Sequence, residues 1–265
     1  MGLSITNTSV LSAQRAFQRN QVGLFRATNR LATGRKINSG ADDPAGLIAS
    51  ERLSAAIKSL EAQTRSLERA NSFANISEGH TSQLSTLMSE LNGLVVASAN
   101  QAGMTDAEIA ANQMQIDSIV TNIERVRGDA VTSLDGFSMP DGGNAEVETL
   151  INDASSGVSS LRSGGANDLA SGNFEAAQTA IQSGISDVAS ARGRIGAYQR
   201  YTVEPNIRSN QIAHENISAS RSRIADTDFA VETSNLTRFS ILSEVSLMVL
   251  KIAQQQGKSV LSLLS

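Results

Sequence analysis

Apolar residues recur every seven positions along most of the chain, and this spacing predicts long α-helices that pair with one another. The first series comprises Val10, Phe17, Leu24 and Leu31. A longer series, with one polar interruption, comprises Leu53, Leu60, Leu67, Ala74, Thr81, Met88 and Val95. Heptads sustained over this length are typical of coiled coils, so we expect packed helices with a continuous apolar seam.

Two start signals divide the helices of the N-terminal half. Asp43 can cap a helix whose first position is Pro44, a residue that suits that position because its fixed φ is already helical. Thr105 and Glu108 have the spacing of a capping box. These signals predict one helix from about residue 44 to about 100 and a second helix from Thr105 onward.

The heptad pattern returns in the C-terminal half. Its members are Phe174, Ile181, Val188 and Ile195. A last amphipathic segment carries Phe229, Leu236, Ile241, Val245, Met248 and Ile252. Pro205 predicts a kink or a break near Glu204, because proline lacks a backbone donor and crowds the preceding turn.

Glycine, proline and aspartate concentrate between residues 128 and 173, which predicts an irregular segment or one β-hairpin around Val147 and Leu150-Ile151. The predicted fold is mainly α: a long antiparallel coiled-coil or helical-bundle rod with paired N- and C-terminal helices and a short irregular or hairpin middle. Its segments are a tail helix at 1–43, rod helices at 44–127, a variable segment at 128–173, a rod helix at 174–228 and a tail helix at 229–265.

The composition excludes most kinds of catalytic and metal site. The chain of 265 residues has no Cys, two His and 3% aromatic residues, so disulfides, thiolate zinc sites and multi-histidine centres are excluded. Gly257-Lys258-Ser259 ends like a phosphate loop, but Ile252 stands where that loop needs glycine. Asp42-Asp43 and Asp226-x-Asp228 sit at expected helix starts, where carboxylates cap. We therefore expect no enzyme, no cofactor and no metal.

Charge is unevenly distributed along the chain. The first 40 residues carry six basic side chains and no acid, although the formal net charge of the whole chain is −4. A basic amphipathic start can bind membranes or nucleic acid, but arginines at helical spacing among apolar residues favour a helix that packs on a protein partner. The chain shows no apolar signal-peptide core and no run of about 18 apolar residues. We expect a protein that stays in the cytoplasm or leaves without a cleaved signal.

Both ends of the chain are thus apolar-striped helices, which need each other or other subunits to bury their stripes. This arrangement is typical of an assembly protein. We expect Val10, Phe17, Leu24 and Leu31 to meet the apolar residues of the last segment within one subunit, while the outward sides bind neighbours. The expected rod core comprises Leu53, Leu60, Leu67, Met88, Val95, Ile181, Val188 and Ile195.

Two long motifs resemble the bacterial flagellins. Residues 30–53 read RLATGRKINSGADDPAGLIASERL, which resembles the family's junction between tail and rod. Residues 220–264 read SRSRIADTDFAVETSNLTRFSILSEVSLMVLKIAQQQGKSVLSLL, which resembles the family's C-terminal end. The sequence Val96-Ala97-Ser98-Ala99-Asn100 and the helix at 105–126 are also similar to the family's rod region, and the motifs stand in the family's order.

This resemblance implies a subunit that self-polymerises into the extracellular flagellar filament for swimming, after export in an unfolded state through the flagellar type III channel. The tails would form the inner tube and the rod segments the layer around it. Implied partners are other copies of flagellin, an export chaperone, the filament cap and the hook–filament junction proteins, with no nucleic acid or membrane. The alternatives are a junction protein with flagellin-like ends and a cytoplasmic coiled-coil adaptor.

The chain departs from many flagellins at three places, one of which is Pro205, within a rod helix that the family usually runs unbroken. The middle segment at 128–173 is short, so we expect a filament without projecting outer domains. The family's stretch for the innate immune receptor is matched by Ser89, Glu90 and Leu94, where Glu90 reverses a basic contact. We therefore expect weak or absent receptor activation.

Overall fold

A computed structural model describes residues 8–99 and 103–264, and side chains only up to residue 255 in the last helix. This part of the chain contains seven α-helices and no β-strand. They are α1 (Thr8–Thr33), α2 (Pro44–Ser98), α3 (Asp106–Leu134), α4 (Gly143–Ser159), α5 (Phe174–Tyr198), α6 (Glu204–Ala225) and α7 (Phe229–Leu264). The mainly α class is confirmed. Residues 1–7, 100–102 and 265 of the predicted segments lie outside the described part.

The chain forms two compact units. The first unit takes the residues up to Ser59 and those from His214 onward, and the second takes Leu60–Ala213. In the first unit α1 packs against α7, so the two terminal helices are paired as predicted. In the second unit α4 packs against both α3 and α5.

The predicted helix starts are confirmed in atomic detail. Asp43 Oδ1 accepts a hydrogen bond of 2.9 Å from the Gly46 backbone N–H, and Pro44 is the first residue of α2. Thr105 and Glu108 form the expected capping box: the Glu108 carboxylate accepts from the Thr105 N–H at 2.7 Å, and the Thr105 hydroxyl accepts from the Glu108 N–H. These short-range bonds satisfy donors that every helix start leaves free.

The core of the second unit is a set of heptad seams. On α5 the buried residues are spaced by four and three: Ala177, Ile181, Gly184, Val188, Ala191, Ile195 and Tyr198. On α2 they include Ala74, Met88 and Val95 from the predicted series, and Thr81 is also fully buried. The Thr81 hydroxyl donates to the Ser77 carbonyl at 2.9 Å, so the polar interruption satisfies itself within its own helix.

The expectation of an irregular or hairpin middle segment is wrong. α3 continues to Leu134, and residues 143–159 form α4. The physical reason is a helical apolar stripe, Val147, Ile151, Ala154 and Val158, which is buried in the core of the second unit. The glycines serve the turns around this helix, as at Gly142, whose φ of +74° lies in the left-handed region.

Pro205 changes the helical hydrogen bonding without ending the helical path. A π-helical turn at Gln199–Val203 separates α5 from α6, and Pro205 is the second residue of α6. Wider helical turns of this kind accommodate a position where the regular bonding pattern is disturbed. The regular α-helix is thus interrupted just before Glu204, by a π-turn rather than by a break.

Candidate assembly surface

The seam between α1 and α7 is built on the α1 side from seven positions at heptad spacing. They are Val10, Ala13, Phe17, Asn20, Leu24, Ala27 and Leu31. Ala13 and Ala27 are buried and the other five are half-buried. The four N-terminal residues singled out by their spacing therefore lie on the face of α1 that carries its buried residues.

The buried positions on the α7 side of the seam are unexpectedly polar or small. Its positions follow the same spacing: Glu232, Leu236, Phe239, Ser243, Ser246, Leu250 and Ala253. Glu232, Ser243 and Ala253 are buried, and the other four are half-buried. Small and hydroxyl side chains allow two helices to approach closely, but they bury little apolar surface.

The expected meeting of both sets of apolar tail residues within one subunit is wrong for α7. Leu236 lies on the seam, but the other five residues are exposed: Phe229, Ile241, Val245, Met248 and Ile252. The cause is helical phase. Ile241, Val245, Met248 and Ile252 keep heptad spacing among themselves, yet at 100° per residue they lie roughly opposite Ser243, which is buried in the seam. We call these four residues the outer α7 stripe.

Polar contacts fix how the two helices align. Asn20 Nδ2 donates to the Ser246 hydroxyl at 2.7 Å and to the Leu242 carbonyl at 3.2 Å. Gln21 Nε2 donates to the Ser243 hydroxyl at 3.1 Å. Such contacts are satisfied at one relative position of the helices, so they specify register as a buried asparagine does in coiled coils.

An ion pair extends the same antiparallel alignment toward the start of α7. The Arg30 guanidinium lies 3.8 Å from the Glu232 carboxylate, whose side chain is 8% exposed. A buried carboxylate without a partner is costly, so the nearby Arg30 guanidinium favours the position of Glu232 in the seam. The pairing also places an arginine from the basic N-terminal segment inside the chain's own contact.

Exposed α1 residues line a surface groove of about 910 Å³ beside this seam. Leu11, Val22 and the Phe239 ring supply its apolar part. Its cationic side chains are Arg15, Arg19 and Arg26. The first unit therefore carries both an apolar stripe on α7 and an apolar groove bordered by arginines on α1.

The segment between α1 and α2 is tied to the segment that precedes α7. The Lys36 N–H donates to the Ala225 carbonyl at 2.8 Å, and the Thr227 N–H donates to the Gly34 carbonyl at 3.0 Å. Asp228 Oδ1 then caps α7 through the Ala230 N–H at 2.9 Å. These bonds hold the C-terminal end of α1 beside the N-terminal end of α7, at one end of the seam.

Asp42 organises the turn before α2. Its Oδ2 accepts from the backbone N–H groups of Asn38 at 3.2 Å and Ser39 at 3.0 Å, and from the Ser39 hydroxyl at 3.1 Å. The Asn38 N–H, followed by the Ser39 hydroxyl and N–H, holds the pKa of Asp42 below its ordinary value of 3.8. This carboxylate stays ionised and structural at neutral pH.

The remaining predicted residues lie on α2 and α5. Met88, Val95, Ile181, Val188 and Ile195 are fully buried in the second unit. Leu53, Leu60 and Leu67 are half-buried. In the stretch matched to receptor contact, Ser89 and Glu90 are exposed and Leu94 is half-buried.

Chemistry-bearing groups do not converge in the described residues. Over 8–99 and 103–264, no cluster of three or more His, Asp and Glu side chains has the geometry of a metal site. Among the helices described, none combines the length and the apolar character needed to cross a bilayer. The arrangement is suited to protein contacts made along helix faces.

Sequence reasoning missed the small and polar half of the seam. Ala13, Asn20 and Ala27 lie three or four positions from the apolar heptad residues, so the second seam position could have been inferred on α1. On α7 the apolar residues occupy two faces, and the pattern does not indicate which face meets α1.

Both ends of the sequence match models of one family. Residues 5–145 match the bacterial flagellin N-terminal helical region. Residues 178–264 match the bacterial flagellin C-terminal helical region. The N-terminal match includes α1 and α2, and the C-terminal match includes α6 and α7.

Relatives align along almost the whole chain. The flagellar filament core protein flaB2 of Brachyspira hyodysenteriae is 27% identical over 97% of this chain and 98% of its own length. The flagellin of Halalkalibacterium halodurans is 29% identical over 90% and 91%, respectively. The flagellin of Bacillus subtilis is 26% identical over 97% and 98%. Since the N-terminal family model alone spans more than half of the sequence, the chain belongs to the bacterial flagellin family.

Proposed function

We propose that this chain is the structural subunit of a flagellar filament and that it polymerises with its own copies through α1 and α7. The observation that carries the proposal is the outer α7 stripe, four exposed apolar residues at heptad spacing on a helix whose inner seam is already occupied. Family membership supports the filament as the assembly. The chain acts as a building element, not as an enzyme.

The two surfaces of the first unit provide a physical basis for an open polymer. The α7 stripe and the α1 groove are different surfaces of the same chain, so a contact between them joins unlike faces of two copies. Contacts of this heterologous kind propagate into helical assemblies when they do not close into a ring. Burying each stripe side chain contributes about 1.5–3 kcal/mol before the cost of association.

Export and partners follow from the same proposal. The subunit passes unfolded through the flagellar type III channel, and the absence of Cys supports this route because no disulfide can form on the way. An export chaperone, the filament cap and the hook–filament junction proteins are its further partners. The filament is extracellular and drives swimming.

Recognition by the innate immune receptor for flagellin is weak in this proposal. The supporting observation is Glu90, an exposed acid where the family's receptor contact is basic. Reporter cells carrying the receptor should respond more strongly to Glu90→Arg than to the parent chain. An equal, full response to both chains at ordinary doses contradicts this part of the proposal.

Electron microscopy of the purified chain tests the proposed polymerisation. The protein is dissociated by acid and returned to neutral pH, and a precipitating salt is added to induce assembly. Long filaments are expected from the parent chain, and their loss is expected on deletion of residues 1–33. Monomers or small oligomers alone favour a junction protein or an adaptor, which circular dichroism distinguishes because an adaptor is stably helical without assembly.

Two substitutions separate the seam from the outer stripe. Val245→Asp should prevent filaments and leave the helical content of the monomer unchanged, because Val245 is exposed in the single chain. Leu24→Asp, on the seam, should reduce both the yield of filaments and the helical content of the monomer. Thr233→Asp, at an exposed polar position of the same helix, is the matched control and should polymerise normally.

A further inference from the structure

Methionine oxidation has unequal access to the sulfur atoms of this chain. Met88 is 0% exposed and Met139 is also buried, whereas Met114 is 67% exposed on α3 and Met248 is 62% exposed on α7. The chain has no Cys, so no thiol competes for a mild oxidant. Among the methionines that the structure describes, Met114 and Met248 are therefore the ones whose sulfur atoms an oxidant reaches most readily.

Met248 differs from Met114 in its surroundings. It is the third residue of the outer α7 stripe, between Val245 and Ile252, so its thioether lies in an apolar row. Oxidation to the sulfoxide turns an apolar side chain into a polar one with a strong acceptor oxygen. A polar group of this kind is penalised when it is buried against apolar neighbours without a donor.

We propose that Met248 is an oxidation site at which a peroxide switches the free subunit from an assembling to a non-assembling form. The proposal rests on the proposed polymerisation through the outer α7 stripe. The sulfur lone pair attacks one peroxide oxygen and the O–O bond breaks. An S–O bond forms at the thioether, the other oxygen leaves as water, the sulfur loses two electrons and the peroxide gains them. A methionine sulfoxide reductase reverses the step with a thiol reductant.

Assembly protects the same atom. Once the stripe is covered by a neighbouring copy, the Met248 sulfur is no longer accessible to solvent, so the filament resists an oxidant to which the free subunit is sensitive. The device therefore distinguishes subunits before assembly from subunits within a filament. Its ligand class is a small hydroperoxide, hydrogen peroxide being the simplest.

The test treats dissociated subunits with hydrogen peroxide, follows each methionine by peptide mass and then seeds assembly. Met248 and Met114 should gain one oxygen before Met88 and Met139, and seeded elongation should fall by at least about tenfold, the effect of burying one unsatisfied polar group. Elongation of Met248→Leu after the same treatment should equal that of untreated Met248→Leu. Met114→Leu, the matched control, should lose elongation as the parent does.

The outcomes distinguish a failure of the proposed polymerisation from a failure of the proposed oxidation site. A parent chain that never polymerises before oxidation overturns the proposed function and this inference together. A parent that polymerises, and still does so when Met248 is fully oxidised, overturns the inference alone. If Met248→Leu itself does not assemble, a mixture of the two epimer-specific methionine sulfoxide reductases decides, because recovery of the oxidised parent supports the site and persistent loss overturns it.

Discussion

The ring of Phe239 on α7 lies directly over Gly23 on α1, so close that a Cβ at position 23 would stand 2.6 Å from a ring carbon. No real Cβ contact is that short, and the ring would have to move. Glycine thus leaves room for the Phe239 ring against α1, at a position where helix propensity favours alanine.

Gly23→Val should weaken the pairing of α1 and α7, because the branched side chain and the Phe239 ring need the same space. We expect a loss of about 1–3 kcal/mol in the stability of the first unit. Faster hydrogen exchange of the α1 backbone amides in the variant measures this loss of stability. Gly93→Ala, where a Cβ meets nothing within 4 Å, should instead raise the stability of the second unit, in which Gly93 lies, by about 0.5–1 kcal/mol. Equal exchange in Gly23→Val and the parent would show that the ring moves aside freely.

Arg30→Ala should destabilise the same unit more than the removal of an ordinary surface arginine. It leaves the buried Glu232 carboxylate unpaired, which costs about 1–3 kcal/mol. The comparison is Arg125→Ala, which breaks an exposed pair with Asp129 at 3.6 Å and should cost less than about 0.5 kcal/mol. Denaturant titrations of both variants supply the numbers, and similar losses would mean that Glu232 reaches water when Arg30 is absent.

Asn144→Ala should destabilise the second unit by about 2–3 kcal/mol. The Asn144 amide donates to the Leu134 carbonyl at 2.8 Å and the Phe137 carbonyl at 2.7 Å, and its oxygen accepts from the Met139 N–H at 2.6 Å. One side chain therefore closes the turn between α3 and α4. The control is Thr149→Ala, because the Thr149 hydroxyl bonds only within its own helix. An equal loss of stability in the control would argue against a special role of Asn144 in the turn.

Acid should weaken the start of α3. Hydrogen bonds from the Thr105 N–H and hydroxyl hold the pKa of Glu108 below its ordinary value of 4.5. A carboxyl group with a lowered folded-state pKa contributes stability that is present above the unfolded pKa and is lost as pH falls through the folded one. Glu108→Gln keeps a capping side chain without the charge. The free energy of unfolding should therefore fall more in the parent than in Glu108→Gln between pH 7 and pH 3. Equal losses in the two proteins would contradict the role assigned to the Glu108 charge.

The elements that sequence predicted well are those whose apolar residues are buried within the chain. Met88 and Val95 on α2, and Ile181 on α5, lie where the heptads indicate because one face of each helix is covered by the core. The helix starts at Pro44 and Asp106 were also predictable, since caps depend on neighbouring residues alone.

Two predictions failed for identifiable reasons. In the middle segment, the glycines around α4 are typical of turns, but the stripe that begins at Val147 has the four-three-four spacing of a helix. On α7 the failure was of another kind. Hydrophobic periodicity identifies a face that avoids water, but it does not say whether the chain itself or another molecule covers that face, as Val245 illustrates.

The exposed outer α7 stripe also makes temperature a control on assembly. Association that buries apolar surface has a negative heat-capacity change, and its favourable free energy weakens on cooling. Because the four residues of the outer α7 stripe are exposed in the single chain, their apolar contribution to the cohesion of the proposed polymer arises between copies. We therefore expect the proposed polymer to add subunits as it warms from the cold and to lose them from its ends when it is chilled.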